Sequence, residues 1–206
     1  FLPIIFLTNA FVPQTLAIPL LFLTLYSFIR IKEKKFQLIY LISFLGLTLT
    51  GSVTFLLIIG FGIYLSLLVI ERKKIDRQQI EFILFSLFFF IWIHLIFFKQ
   101  VLLNRGINFF WLNIPSQIIS QYFPVPTITQ AIILVSLVPF IAGIYIVYRS
   151  LFTLRDQKSF LLISFVISTI ILSWFRLIKF NLSLAFFGII LSILFALFYD
   201  DLNRSL

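Results

Sequence analysis

The sequence is built from long apolar runs that short groups of charged residues separate. A helix needs about 20 apolar residues to cross the ~30 Å hydrocarbon core of a bilayer, and these runs approach that length. Strands of a membrane barrel would instead alternate apolar and polar residues, which these runs do not do. The pattern predicts an all-α fold: a polytopic transmembrane helix bundle that forms a single domain over residues 1–206.

Seven runs qualify as spans. We predict them at about residues 13–29, 36–50, 53–70, 79–98, 127–148, 159–178 and 182–199. The longest connection, residues 99–126, carries aromatic side chains typical of headgroup depth, so it is predicted to be an outer interfacial segment.

Composition excludes several other classes of protein. Hydrophobic residues make up 62% of the chain and charged residues only 11%, whereas a soluble domain has about 25% charged residues. There is no cysteine, no cluster with metal-ligand spacing and no cofactor motif, so we predict neither a metal nor a cofactor. The net charge of +9 is divided among short clusters at the ends of the runs, which indicates membrane topology rather than nucleic-acid binding.

Basic residues are distributed unequally between the two sides of the predicted bundle. Of the 16 lysines and arginines, four lie in the outer connections and the other 12 lie on the opposite side. The positive-inside rule makes the richer side cytoplasmic, together with the C-terminus. We therefore predict an integral, multi-pass membrane protein whose C-terminus is cytoplasmic.

The acidic residues follow the same division more strictly. All seven lie on the predicted inner side: Glu33, Glu71, Asp76, Glu81, Asp156, Asp200 and Asp201. The outer side thus has cations without a carboxylate. Two interpretations are open: short outer turns that carry few polar residues, or an outer-leaflet site for an anion such as a lipid phosphate.

Five residues form the predicted lipid-phosphate-binding set. Arg176 and Lys179 are three residues apart and share a helix face, where they either anchor the helix in the headgroups or form a two-point phosphate clamp. His94 is interpreted as hydrogen-bonded to a neighbouring helix, or as a proton-transfer or phosphate-contacting group. Lys99 and Arg105 complete the set.

Small residues recur at helical spacing in the last two runs. They are Gly188, Ser192 and Ala196 in the seventh, and Ser164 and Ser168 in the sixth. Small side chains let membrane helices approach closely. We predict that these faces pack inside the bundle or against another subunit.

Three stretches carry a resemblance to a known family. They are Phe11-Val12-Pro13-Gln14-Thr15-Leu16-Ala17, the hairpin Leu47-Thr48-Leu49-Thr50-Gly51-Ser52-Val53-Thr54, and the final pair of spans from Trp174-Phe175-Arg176 to Tyr199-Asp200-Asp201. In these the chain resembles the later membrane half of the multi-span glycosyltransferases that use polyprenyl-phosphate sugars, the GT-C superfamily. Related chains often carry a histidine near the position of Thr50, which this chain does not.

The resemblance implies that the chain holds a polyprenyl-phosphate sugar donor in the outer leaflet, with Arg176, Lys179, Arg105 and Lys99 at its phosphate. The family places its catalytic aspartate in an early outer loop, and this sequence has no outer aspartate. The expectation is therefore that the catalytic part lies upstream of Phe1 or on a partner chain, or that the chain is a non-catalytic relative.

Two other functions are compatible with the residues. The sequence contains no nucleophile–base pair and no glycine-rich phosphate loop, so a structural subunit of a larger membrane complex is one alternative. A transporter is the second, although no acidic residue lies at mid-depth in a span. The predicted partners are membrane lipids, with a polyprenyl-phosphate sugar or other membrane subunits, and no nucleic acid.

Overall fold

The computed structural model describes residues 13–51, 53–105, 137–149, 151, 157–175, 178 and 180–205. Within these ranges the chain is helical and contains no strand, which confirms the all-α prediction for that part. The helices are α1 (Pro13–Ile29), α2 (Lys34–Leu49), α3 (Val53–Ile70), α4 (Arg77–Arg105), α5 (Leu137–Arg149), α6 (Gln157–Trp174) and α7 (Phe180–Ser205).

Among the described helices, three are long and apolar enough to cross a membrane. They are α3, the part of α4 from Arg77 to Phe97, and α6, with mean hydropathies of 2.6, 2.3 and 1.5. Shorter apolar stretches lie at Leu16–Ile29 in α1 and Leu182–Ala196 in α7. By length and composition, these helices indicate a membrane protein.

The helices differ from the predicted spans mainly where a polar segment, which hydropathy excludes from a span, still continues a helix. Helix α4 continues to Arg105, so the first part of the predicted interfacial loop, residues 99–105, is helical. Between Arg77 and Gly106 the sequence contains no glycine or proline, and polar residues outside a bilayer do not end a helix. Residues 106–126 of that loop and 127–136 of the fifth predicted span lie outside the described residues.

The last two helices also depart from their predicted bounds. Helix α6 ends at Trp174, before the predicted end of the sixth span at residue 178, and α7 begins at Phe180. Helix α7 continues to Ser205, past the predicted end at residue 199, because the polar residues there include no helix breaker.

Helices α1 and α2 form an antiparallel hairpin. The Thr24 hydroxyl donates to Ser43 Oγ at 2.9 Å, and the rings of Phe28 and Tyr40 lie 6.1 Å apart. The later residue of α1 thus pairs with the earlier residue of α2, as expected for antiparallel helices. The connecting turn, residues 30–33, lies at the end of the bundle that we call the charged end, together with residues 71–76 and the start of α6.

Helices α3 and α6 pack antiparallel at the centre. The rings of Phe61 and Phe165 lie 5.9 Å apart, and Ser168 Oγ donates to the Leu56 carbonyl oxygen at 3.0 Å. A β-carbon added at Gly60 would lie 2.8 Å from the Phe165 ring, so the absence of a side chain there permits the close approach.

Helix α4 runs antiparallel to α3 and therefore parallel to α6. The ring of Phe55, near the start of α3, lies 5.3 Å from the His94 ring. Near the other end, the Tyr64 hydroxyl donates to Gln79 Oε1 at 3.5 Å. Helices α4 and α6 both begin at the charged end, and both end at what we call the opposite end.

Helices α5 and α7 lie side by side and run in the same direction. Phe140 lies 6.3 Å from Phe187 between ring centroids, and Gly143 lies against Leu191 one turn further along both helices. Ser183 Oγ donates to a carbonyl oxygen of α6 at 3.3 Å, close to the reversal between α6 and α7. The described helices therefore alternate in direction along the chain.

Candidate functional sites at the two ends of the bundle

Two of the predicted phosphate-binding residues, Lys99 and Arg105, lie at the opposite end of the bundle. Lys99 is exposed and lies just beyond the apolar stretch of α4, and Arg105 is the last residue of that helix. Arg176 and Lys179 lie outside the described residues, in the connection between α6 and α7. Because α4 and α6 are parallel, the C-terminal ends of both helices lie at the opposite end.

Along α4 the candidate groups are spread rather than gathered. With a rise of 1.5 Å per residue, the backbone positions of His94 and Arg105 are roughly 16 Å apart along the axis. Lys99 lies between them. A phosphate contacted by Lys99 would therefore need its further partners from another segment of the chain.

His94 is a half-buried residue between α4 and α3. Its Nδ1 lies 2.9 Å from the Phe90 carbonyl oxygen of its own helix, and its ring packs 4.1 Å from the Phe90 ring and 5.3 Å from Phe55 of α3. The contact between His94 and Phe55 of the neighbouring helix is thus aromatic. These contacts orient the imidazole towards α3.

A second candidate site lies at the charged end, where sequence reasoning predicted none. A cavity of about 510 Å³ opens between α1, α3, α4 and α6. Phe28, Tyr64 and Leu161 line it and are buried. Four exposed cations also line it: Lys32, Lys74, Arg77 and Lys158.

Asp76 is the one carboxylate among the described residues that line this cavity. Lys32 binds it at 2.9 Å, and the backbone N–H groups of Arg77 and Gln78 donate to it, so it acts as the N-cap of α4. The hydrogen bond from Lys32, with the Lys32 charge and the two N–H donors, holds the pKa of Asp76 below its ordinary value.

The remaining cations of the cavity divide into one that is paired and two that are not. Arg77 Nε lies 2.9 Å from Glu81 Oε1, one turn along α4. Lys74 and Lys158 form no ion pair with a carboxylate within the described ranges. The cavity is therefore locally positive.

The backbone adds to this potential. Helices α4 and α6 both start beside the cavity. Unpaired N–H groups give a helix N-terminus a partial positive charge, which Asp76 already offsets at the start of α4 but not at the start of α6. Neither helix has an acidic residue in its first turn. The connection before α4 is held against α6 by Gln157, whose Nε2 donates to the Lys74 carbonyl oxygen at 3.0 Å.

The predicted small-residue faces lie in different environments. Ser164 and Ser168 are buried in α6, where Ser168 bonds to α3 and Ser164 to the Leu161 carbonyl oxygen of its own helix. On α7, a β-carbon added at Gly188 would meet nothing within 4 Å in the described structure. Ser192 is half-buried and bonds to the Gly188 carbonyl oxygen, and Ala196 is exposed.

Sequence reasoning missed Gly60 and Gly143, which lie at the tightest helix contacts among the described glycines. Gly60 lies under Phe165, and a side chain at Gly143 would collide with Leu191. The only available signal was a glycine inside an apolar run, which does not show which face of the helix it occupies. The cavity was missed because its residues come from segments far apart in the sequence.

Comparison with known proteins leaves both sites to be interpreted from their own residues: no family model, no curated protein and no solved structure matches the chain.

Proposed function

We propose that the chain is a multi-pass membrane protein with seven spans and a cytoplasmic charged end. The alternating directions of the seven described helices support this topology, because each successive span must cross in the opposite sense. The charged end holds the turns at residues 30–33 and 71–76, where most basic residues of the described loops lie. The positive-inside rule assigns that end to the cytoplasm.

Within this topology, the proposed function is to hold the phosphate of a polyprenyl-phosphate sugar in the outer leaflet. The observation that carries the proposal is the parallel course of α4 and α6. Lys99 and Arg105 lie at the C-terminal end of α4, and the C-terminal end of α6, which Arg176 and Lys179 follow in the sequence, lies at the same end of the bundle.

The chemistry of this end suits a lipid phosphate. Cationic side chains form strong charge-assisted hydrogen bonds with phosphate, and the described acidic residues all lie towards the charged end, where they cannot compete. Trp174 and Phe175 are 83% and 67% exposed, immediately before Arg176. Aromatic rings in such a position favour headgroup depth, next to the start of an isoprenoid chain.

The experiment is a binding measurement with the purified chain in phosphatidylcholine nanodiscs, using a fluorescent polyprenyl phosphate as the probe. The double variant Arg176→Gln/Lys179→Gln should bind the probe at least about tenfold more weakly, because two charge-assisted contacts are lost. The matched control is Lys34→Gln/Lys35→Gln, which removes the same charge at the charged end. Equal affinity of the native chain and the Arg176/Lys179 variant would refute the proposal.

A structural subunit of a larger membrane complex is the second candidate function. The open space beside Gly188, with half-buried Ser192 and exposed Ala196 on the same helix, is the observation that favours it. Small residues on an uncovered face allow another helix to approach closely. A single cysteine at Ala196, in a chain that has no other, should form cross-links to another membrane protein in native membranes. A cysteine at Ile170, an exposed position on α6, is the control, and equal cross-linking at both positions would refute this candidate.

The transporter alternative gains no such observation. Among the described residues, the buried polar side chains in the middle of the helices are hydroxyl groups, such as Thr24, Ser86 and Ser168. Each bonds to a helix carbonyl oxygen or to another hydroxyl group. These groups satisfy one another within the bundle and supply no charge for ion coupling.

A further inference from the structure

The cavity at the charged end lies a full helix length from the proposed donor-binding end, so donor binding does not account for it. Its volume of about 510 Å³ lies within the range of roughly 300–1,000 Å³ that is typical of small-molecule sites. Phe28, Leu161 and Tyr64 make its inner wall apolar and aromatic. The exposed cations lie around that wall, so the cavity suits a ligand with an apolar part and an anionic part.

Two of the cations are available to a ligand. Lys32 and Arg77 already bind Asp76 and Glu81, each at 2.9 Å. Lys74, in the connection before α4, and Lys158, in the first turn of α6, are more than 80 residues apart in the sequence. They nevertheless line one cavity without a carboxylate partner in the described structure. The bond from Gln157 to the Lys74 carbonyl oxygen holds their two segments together.

The anion that best matches this arrangement is a phosphate group. Lysine binds phosphate as a mobile point charge, and two lysines can neutralise the two charges of a monoester. The N-terminus of α6 adds positive potential, and the first turn of this helix contains no acidic residue. We propose that this cavity binds a phosphate-bearing ligand, with its phosphate held by Lys74 and Lys158 and its apolar part against Phe28 and Leu161.

Such a ligand could come from two sources with the same chemistry. One is an anionic phospholipid of the adjacent leaflet, and the other is a soluble phosphate ester. The proposal does not depend on donor binding at the opposite end, since it uses none of the same residues.

The test uses the full chain in phosphatidylcholine nanodiscs and has two arms. The first measures the broadening of the phosphorus NMR signal of inorganic phosphate added to the solution. The second measures the immobilised fraction of spin-labelled phosphatidic acid in the nanodisc, relative to spin-labelled phosphatidylcholine. Helix content and thermal unfolding are recorded for each variant, so that loss of fold is distinguished from loss of binding.

Lys74→Gln/Lys158→Gln should weaken binding at least about tenfold in the arm that detects the ligand, because two charged contacts are lost. Lys34→Gln/Lys35→Gln removes the same charge from exposed positions at the same end, outside the cavity, and should leave binding within about twofold. Lys74→Arg/Lys158→Arg keeps the charge and should retain most of the affinity.

Selective loss in the first arm identifies a soluble phosphate compound, and selective loss in the second identifies a lipid; either supports the proposal. Absence of binding in both arms of the native chain would overturn it. An equal loss in the Lys34/Lys35 control would also overturn it, because binding would then reflect the general charge of this end. If Lys74→Gln/Lys158→Gln does not fold, two other variants are compared instead: Lys74→Arg/Lys158→Arg and the single substitution Lys158→Gln. Their binding then decides between these outcomes.

Discussion

Helices α4 and α6 run in the same direction from the same end of the bundle, yet they have different environments. In the apolar stretch of α6, 56% of residues are buried, compared with 11% for α4. Their hydropathies would suggest the reverse, since α4 is the more apolar at 2.3 against 1.5. In a membrane, apolar side chains do not drive a helix inside, because lipid is as apolar as the protein interior.

What distinguishes α6 is its small and hydroxyl-bearing face. Ser164 and Ser168 are fully buried, Ser168 bonds to α3, and Gly60 of α3 accommodates the Phe165 ring. Along α4 the corresponding positions are large and exposed, for example Phe88 and Trp92. Close packing therefore follows the small residues and not the hydrophobicity.

The largest effect on stability is expected when one phenylalanine is replaced on each helix, Phe165 on α6 and Phe88 on α4. Phe165→Ala should destabilise the chain by about 3–5 kcal/mol, because a fully buried ring leaves a cavity between α3 and α6. Phe88→Ala on α4 should change stability by less than about 0.5 kcal/mol, because the side chain is 68% exposed. Unfolding in mixed micelles with increasing denaturing detergent measures both. Similar losses for the two variants would break the comparison.

A smaller effect is expected from adding bulk to α3. Gly60→Ala should cost about 1–3 kcal/mol, since its β-carbon would lie 2.8 Å from the Phe165 ring. Gly62, two residues further along α3, has nothing within 4 Å of an added β-carbon in the described structure. Gly62→Ala should leave stability equal or raise it by about 0.5 kcal/mol through helix propensity. The same unfolding measurement applies, and a Gly60→Ala variant of native stability would contradict the close α3–α6 contact.

The interhelical hydroxyl bond should contribute less. Ser168→Ala removes the bond to the Leu56 carbonyl oxygen and should cost about 0.6 kcal/mol, the average for such bonds in membranes. Ser66→Ala is the control, because the exposed Ser66 hydroxyl bonds only within α3, to the Gly62 carbonyl oxygen. Equal stabilities of the two variants would show that the bond to α3 makes no net contribution to the free energy of unfolding.

The smallest effect is expected at the charged end, from Asp76. Its pKa is lowered from the ordinary 3.8, so its bonds to Lys32 and the start of α4 stabilise the fold at pH values above 3.8. That contribution declines as the pH falls through the lowered pKa of the folded state. Asp76→Asn should lower stability at neutral pH, and the difference from the native chain should vanish in acid. The measurement is thermal unfolding across pH 2–6, and a difference that persists at the acidic limit would contradict this role.

Much of the fold could be predicted from the sequence because apolar runs have a direct physical consequence. The bounds of α1 and α3 agree with the predicted runs at 13–29 and 53–70. The end of α4 could not be predicted from hydrophobicity, since Lys99 to Arg105 remain helical outside the apolar stretch. Helix ends depend on propensity and on caps such as Asp76, which hydropathy does not register.

The sites were less predictable for a different reason. The outer cations were found as an excess of charge, and that excess gives no distances between Lys99, Arg105 and the segment that holds Arg176. The cavity at the charged end needs Lys74, from the connection before α4, and Lys158, from the start of α6, to come together. Basic residues in loops were interpreted through topology alone, so a binding site among them had no separate signal.

In the proposed topology, the charged end and the opposite end lie on opposite sides of a membrane. Because the chain has no native cysteine, Lys73→Cys and Lys99→Cys each provide a single labelling site, at the charged end and the opposite end respectively. Both positions are exposed. With a membrane-impermeant maleimide, Lys99→Cys should be labelled in intact cells, and Lys73→Cys only after permeabilisation. Labelling of both positions in intact cells, or the reverse pattern, would contradict the account.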